Sequence, residues 1–272
     1  MVFRELGVRI VGENQAGLGR REAPYLKVCG RPRTTPCAVF AAARYGGVAP
    51  GTTTLASILG DVPRSSGQRL LTHDRRLGVR FVAGADEAGR GSLAGPLVVA
   101  GVLLDYDLLR GTRVRPLAAL NDSKQVSQEE RETLFHAVVC CATQISVRVV
   151  SAFEIDRSGL HRSNLAALRA VLADLHPPAD ACLVDGFRLG PTAPPHRALV
   201  DGDARSAAIA AASIVAKVVR DRVMRRLDAV YPRYGFMSHV GYITPAHSRA
   251  VRVFGASALH RRSFQARCYE AA

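Results

Sequence analysis

Three apolar runs in this chain close in the same way, and that shared ending constrains the fold more than any other feature of the sequence. FVAGADEAG (81–89), ACLVDGF (181–187) and RALVDGD (197–203) are short, rich in Val, Leu and Ala, and place carboxylates at or just past their C-terminal ends, close to glycine. Runs of this length bounded by turn residues read as buried β-strands. A carboxylate at the end of such a strand is costly to desolvate unless something cationic meets it. Three strands that deliver acidic side chains at their C-terminal ends predict an α/β sheet with a site along that edge.

The remaining pattern fits such a sheet. GPLVVAGVLL (95–104) reads as a second strand and QISVRVVS (144–151) as a third, with the helical stretch SQEERETLFHAVVCCA (127–142) between them. Ser127 stands three residues before Glu130, a capping-box spacing that starts this helix with Leu134, Val138 and Cys141 on its inner face. A further helix is predicted over 161–175, then a Pro-rich turn at PTAPPH, and a long helix over 206–229. On that helix Ile209, Ala212, Ala216, Val219 and Val223 form a core face, while Lys217, Arg220, Arg222, Arg225 and Arg226 read as a solvated charged face. Pro245 opens a short helix through 252, and a loosely ordered tail is expected beyond Ser263.

Residues 1–75 have a different texture, mixing Gly, Pro, Arg and Thr with only short apolar pieces. They read as a disordered extension, a start called too far upstream, or a basic arm that holds nucleic acid without specificity. The formal net charge is +14, which suits a polyanionic partner or simply a solvated basic surface. Residues 1–80 hold 13 Lys and Arg against 5 Asp and Glu, so much of the excess lies outside the strand-rich region. Cys29, Cys37, Cys140, Cys141, Cys182 and Cys268 contain no C-x-x-C pair, which argues against structural zinc or a redox motif. With no leader-like segment and no long uncharged apolar run, a soluble cytoplasmic protein with no membrane partner is expected.

Asp86 and Glu87 are adjacent, and successive side chains of a regular strand point to opposite faces. Both serve one site only where the chain leaves the strand, which Gly89 and Gly91 permit; a plain strand-end turn would look the same. Four carboxylates from Asp86, Glu87, Asp185 and Asp203 would repel one another unless divalent metal neutralised them, and hard oxygen ligands suit Mg²⁺ or Mn²⁺. Two such ions roughly 3.5–4 Å apart could clamp a scissile phosphate.

DEAGRGSLAGPLVVA (86–100), NDSK (121–124), VDG (184–186), GDARSAAIAAASIVAKVVRDR (202–222) and YPRYGFMSHVGYITPAH (231–247) resemble the successive motifs of ribonuclease HII, in order and in spacing, over about 81–264. The resemblance implies an α/β, ribonuclease H-like fold: a central mixed five-stranded sheet flanked by helices, within a catalytic domain over 76–264. It places a small C-terminal helical portion from about 231 and a tail at 265–272. It implies a monomeric endonuclease that cuts the RNA strand of RNA–DNA hybrids and cuts 5′ of single ribonucleotides in duplex DNA, leaving 3′-hydroxyl and 5′-phosphate ends. Asp86, Glu87, Asp185 and Asp203 would bind two divalent ions, Mn²⁺ or Mg²⁺. Gly89, Arg90 and Gly91 would read the 2′-hydroxyl that distinguishes RNA from DNA. Tyr242 would stack at the junction between a ribonucleotide and the next deoxynucleotide, although in isolation it reads as a packed tyrosine. Ser213 and Lys217 would lie near the substrate backbone and Lys124 against a phosphate. His161, His239 and His247 read as surface or supporting residues.

The sequence departs from the family pattern at Ser92, where proline is common, at Val240, where lysine is common, and at Asp201, a position that is often basic. None of these is a predicted metal ligand, but Val240 removes a plausible phosphate contact. The related ribonuclease HIII typically has GKG where this chain has Gly89, Arg90 and Gly91, and a folded N-terminal substrate-binding domain. A catalytically inactive nucleic-acid-binding protein on the same fold would explain the basic charge but would not need all four carboxylates.

Overall fold

The computed structural model describes residues 9–10, 25–29, 66–121 and 126–269. Within it, two short strands, β1 (Arg9–Ile10) and β2 (Tyr25–Cys29), precede helix α1 (Ser66–Arg75). The apolar runs then form β3 (Phe81–Ala88), β4 (Leu97–Asp105) and β5 (Gln144–Val150), an antiparallel meander with α2 (Gln128–Cys141) between β4 and β5. Helices α3 (Ala152–Ser158) and α4 (Leu160–Ala173) lead to β6 (Ala181–Asp185) and β7 (His196–Leu199). β6 lies parallel to β3, and β7 parallel to β6. Helix α5 (Ala207–Val230) follows, and α6 (Phe236–His239) and α7 (Pro245–Phe254) close the chain.

The strand order is β1-β2-β5-β4-β3-β6-β7. The expected mixed five-stranded sheet is the run from β5 to β7; the full sheet has seven strands because β2 pairs with β5 and β1 with β2. Without them β5 would present a row of open backbone donors and acceptors, the feature that invites strand addition.

Alternation along the strands sorts side chains between two cores. Ala83, Ala85, Val99 and Leu103 meet Leu168, Val171 and Leu172 of α4 on one face. Val82, Val98, Ala100, Val102 and Leu104 meet α2 and α5 on the other. Each fully buried Leu or Val contributes roughly 1.5–3 kcal/mol relative to exposure. The small residues of the first turns of α5 let it press on the sheet: a Cβ on Gly84 would lie 2.1 Å from the Ala208 carbonyl carbon. Residues 207–216 of α5 are consequently buried on all sides, wider than the single stripe expected from periodicity. Both predicted capping features are in place on α2, where Ser127 and Glu130 form the reciprocal box.

Three sequence expectations are corrected. The packed domain starts before residue 76, because α1 buries Leu70, Leu71 and Asp74. The C-terminal segment packs beyond Ser263, with Cys268 only 6% exposed and the Tyr269 hydroxyl 3.3 Å from the Arg261 carbonyl oxygen. Arg220 is not on a solvated face but fully buried. Most of 1–65, the Lys124 position, Cys37, the side chain of Cys29 and 270–272 lie outside the described residues. Among the described residues no helix is long and apolar enough to cross a membrane.

Candidate active site

The sheet register builds the site. Ala85 pairs with Val184 across the parallel β3–β6 ladder, so one residue further along both strands Asp86 comes beside Asp185. Asp86 is 6% exposed and its Oδ1 accepts the Glu87 amide N–H at 2.7 Å. Its carboxyl is held well above the ordinary aspartate range, chiefly by burial, then by the negative charges of Glu87 and Asp185; hydrogen bonds from Ser213 and the Glu87 amide pull the other way. Asp185, at the end of β6, accepts the Gly202 amide on Oδ1 at 2.7 Å.

That last contact explains the glycine before Asp203. A Cβ on Gly202 would lie 2.6 Å from Ile209 Cδ1 and 3.1 Å from Asp185 Oδ1, so only glycine lets the turn close this tightly. Asp201 turns the chain through a left-handed conformation (φ 51°), and the 3₁₀ turn Gly202–Ala204 then holds Asp203 buried beside the start of α5. The structure thus brings Asp86, Glu87 and Asp185 into mutual influence, and ties the Asp203 turn to Asp185 through the Gly202 amide. Among the described residues no three Asp, Glu, His or Cys side chains are already gathered as a ready-made metal cage. The donor set nevertheless fits a hard divalent cation: it is all oxygen, and Asp86 stands in a buried position where neighbouring negative charge opposes its ionisation.

Beyond β3 the chain turns at Gly89 (φ 87°), where the Ser92 amide donates to the Gly89 carbonyl at 3.3 Å. A proline at position 92 would lack that donor. Arg90 and Gly91 are exposed, and the Arg90 guanidinium lies 4.7 Å from the centroid of the Phe187 ring. Ser213 is buried on α5 and directed at Asp86. Lys217, one turn further on, donates to Asp221 at 2.9 Å and stands 5.1 Å from the centroid of the half-buried Tyr242 ring.

Sequence reasoning missed two residues beside this turn, Arg220 and Arg261. Both are fully buried. Arg220 donates to the Ala94, Pro96 and Val240 carbonyls, and Arg261 to those of Arg90 and Gly95. The one signal available for Arg220 was its seven-residue spacing from Ser213, which places both on one helix face. The histidines are also structural: His239 Nε2 bonds the Tyr234 carbonyl at 2.8 Å, His247 Nδ1 the Tyr242 carbonyl at 2.9 Å, and His247 meets His260 at 3.1 Å. Burial lowers both His247 and His260, the latter to about 4.

The mixed sheet flanked by helices, with carboxylates at neighbouring strand ends, has the ribonuclease H-like fold. A crystal structure of the ribonuclease H2 from Pyrococcus horikoshii OT3 superposes with a TM-score of 0.58 at 27% identity, covering 68% of this chain and 94% of that one. The family model described as ribonuclease HII matches residues 83–267, and the chain belongs to that family. Ribonuclease HII of Geobacillus kaustophilus is 45% identical over 200 residues, 72% of this chain and 74% of that protein. Ribonuclease HII of Mycobacteroides abscessus is 45% identical over 205 residues, 75% and 85% of the two chains. The chain is therefore an endoribonuclease acting on RNA–DNA hybrids.

Proposed function

We propose that this enzyme also cuts on the 5′ side of single ribonucleotides embedded in duplex DNA, and that on both substrates it hydrolyses the phosphodiester with two divalent ions to leave 3′-hydroxyl and 5′-phosphate ends. The observation that carries this reading is the pairing of Asp86, buried and opposed by Glu87 and Asp185, with an adjoining glycine turn whose Arg90 and Gly91 are exposed.

Asp86, Glu87, Asp185 and Asp203 would hold the ions, Mg²⁺ or Mn²⁺. When bound, these supply Lewis-acid polarisation of the phosphate and make the attacking water more acidic. The remaining work belongs to the chain. Ser213 holds Asp86 in place by hydrogen bonding. The turn at Gly89, Arg90 and Gly91 brings backbone close enough to a sugar to read a 2′-hydroxyl. Tyr242 offers a ring face for stacking at the sugar beyond the cut, and Lys217 lies beside it as a candidate phosphate contact. Water attacks phosphorus, the bond to the 3′ oxygen breaks, and that oxygen leaves with a proton.

One gel tests the reading: a DNA duplex with one ribonucleotide and a full RNA–DNA hybrid, each with Mg²⁺ or Mn²⁺, cut by the wild type and by Asp86→Asn. A metal-dependent cut 5′ of the lone ribonucleotide, absent in the variant, is expected. Cutting of the hybrid alone would overturn the single-ribonucleotide activity, and binding without cutting would favour an inactive nucleic-acid-binding protein.

A further inference from the structure

Burying a guanidinium is costly unless its donors are met. Arg220 and Arg261, both 0% exposed, meet theirs on main-chain carbonyls. Arg220 reaches from α5 to Pro96 O with Nε (3.0 Å), Val240 O with Nη1 (2.9 Å) and Ala94 O with Nη2 (3.2 Å). Arg261 reaches Gly95 O with Nε (3.1 Å) and Nη2 (3.0 Å), and Arg90 O with Nη1 (2.9 Å). All these acceptors lie in two turns, the one that follows Gly89 and the one that leads into Tyr242.

The two turns also touch directly. The Ala94 amide donates to Gly241 O at 3.1 Å, and a Cβ on Gly241 would lie 2.3 Å from Ala94 O. A Cβ on Gly89 would lie 1.8 Å from Arg220 Nε, and the Arg220 guanidinium carbon is 5.2 Å from the Tyr242 ring centroid. A planar guanidinium fixes the spacing of several carbonyls at once, which a lysine ammonium on its flexible stem does not.

We propose that Arg220 and Arg261 are positioning residues, Arg220 locking the 89–96 turn against the turn carrying Tyr242 and Arg261 holding the 89–96 turn itself from the C-terminal segment, and that this fixed spacing sets how strictly the site requires a ribose at the cut. The inference rests on the proposed function, in which these two turns face the sugar. A lone ribonucleotide offers a single 2′-hydroxyl, so a turn that drifts loses its only specific contact. A full hybrid offers one at every nucleotide of the RNA strand and tolerates the drift.

The test is Arg220→Lys in the full-length chain, with Arg261→Lys as a second variant. The readouts are kcat and KM on both substrates and backbone amide hydrogen exchange. A misplacement of about 1 Å costs about 100-fold, so kcat/KM on the lone-ribonucleotide duplex should fall roughly 30–100-fold, mostly in kcat, while the hybrid falls less than about five-fold. The Ala94 and Gly95 amides should exchange faster in the variants, with the β3–β4 ladder unchanged. Equal losses on both substrates, or unchanged exchange and an unchanged substrate ratio, would overturn the lock. If neither variant folds, the wild type decides: Ala94 and Gly95 amides that exchange as fast as that of exposed Gly91 also overturn it. A wild type that cuts only the hybrid overturns the single-ribonucleotide reading instead, and the exchange rates still decide the lock.

Discussion

The carboxylate of Asp74, near the C-terminal end of α1, accepts the amide N–H of Ala208 in the first turn of α5 at 2.9 Å. The same Oδ2 accepts the hydroxyls of Ser206 (3.1 Å) and Tyr106 (2.9 Å). An acidic group at a helix N-terminus satisfies orphan amides and complements the helix dipole, so α1 fixes the helix that carries Ser213 and Lys217. Asp74→Ala leaves these buried donors unmet, at about 1–3 kcal/mol for each group. The expected outcome is a Tm lowered by roughly 5–15 °C, read by thermal unfolding.

Asp86→Asn should separate stability from activity. Burial and the charges of Glu87 and Asp185 oppose ionisation of Asp86, so a neutral isostere removes a penalty that the metal-free wild type bears at neutral pH. A raised carboxylate favours the folded state while protonated, and that advantage is lost as pH rises from the ordinary aspartate range through the folded value. Without divalent metal the variant should melt about 2–8 °C higher than the wild type. Added Mg²⁺ or Mn²⁺ should raise the wild type more than the variant, and the variant should not cut.

Gly202→Ala tests the closeness of the Asp185 and Asp203 turns. The new Cβ would crowd Ile209 Cδ1 and Asp185 Oδ1, forcing the turn outward. Overpacking of this kind costs roughly 1–3 kcal/mol, and displacement of the carboxylates should lower kcat by about 10-fold or more. A fall in kcat at nearly constant KM is the expected signature.

Tyr242 offers a contrast between ring and hydroxyl. Removing a stacking platform costs about 1–3 kcal/mol per base, so Tyr242→Ala should lose roughly 10–100-fold in kcat/KM. Tyr242→Phe keeps the ring beside Lys217 and Arg220 and should retain most of the activity. Steady-state kinetics on the lone-ribonucleotide duplex distinguishes the two.

The histidines of the C-terminal portion predict acid sensitivity. His260 is lowered to about 4 by burial and by His247, and His247 is lowered by burial, whereas unfolded histidine titrates near 6.5. Between these values the unfolded chain binds more protons than the folded one, so stability falls as pH drops below about 6.5 and stops falling near the folded values. Tm should fall on the order of 5 °C over this window. His260→Asn should flatten the slope when Tm is followed against pH.

What could be read from the sequence was local or carried by motif. Alternation and turn residues located β3 to β7, and Ser127 with Glu130 located the start of α2, because each pattern is complete within a few neighbouring residues. The acidic strand ends identified Asp86, Asp185 and Asp203 as candidates for the same reason. Helix α1 escaped because its short amphipathic run sits beside Gly- and Pro-rich sequence, and its partners Tyr106, Ser206 and Ala208 lie far along the chain.

The sequence by itself determined strands β3 to β7, their carboxylate endings and the family, but not β1 and β2. Only the tertiary structure decided that Asp86 stands next to Asp185, because that follows from the parallel register of β3 and β6. It alone decided that Arg220 is a buried tie and not a solvated charge. Helical periodicity reports which face a side chain occupies, but not what covers that face; the carbonyls that make burial of Arg220 and Arg261 tolerable come from turns brought together only when the chain folds.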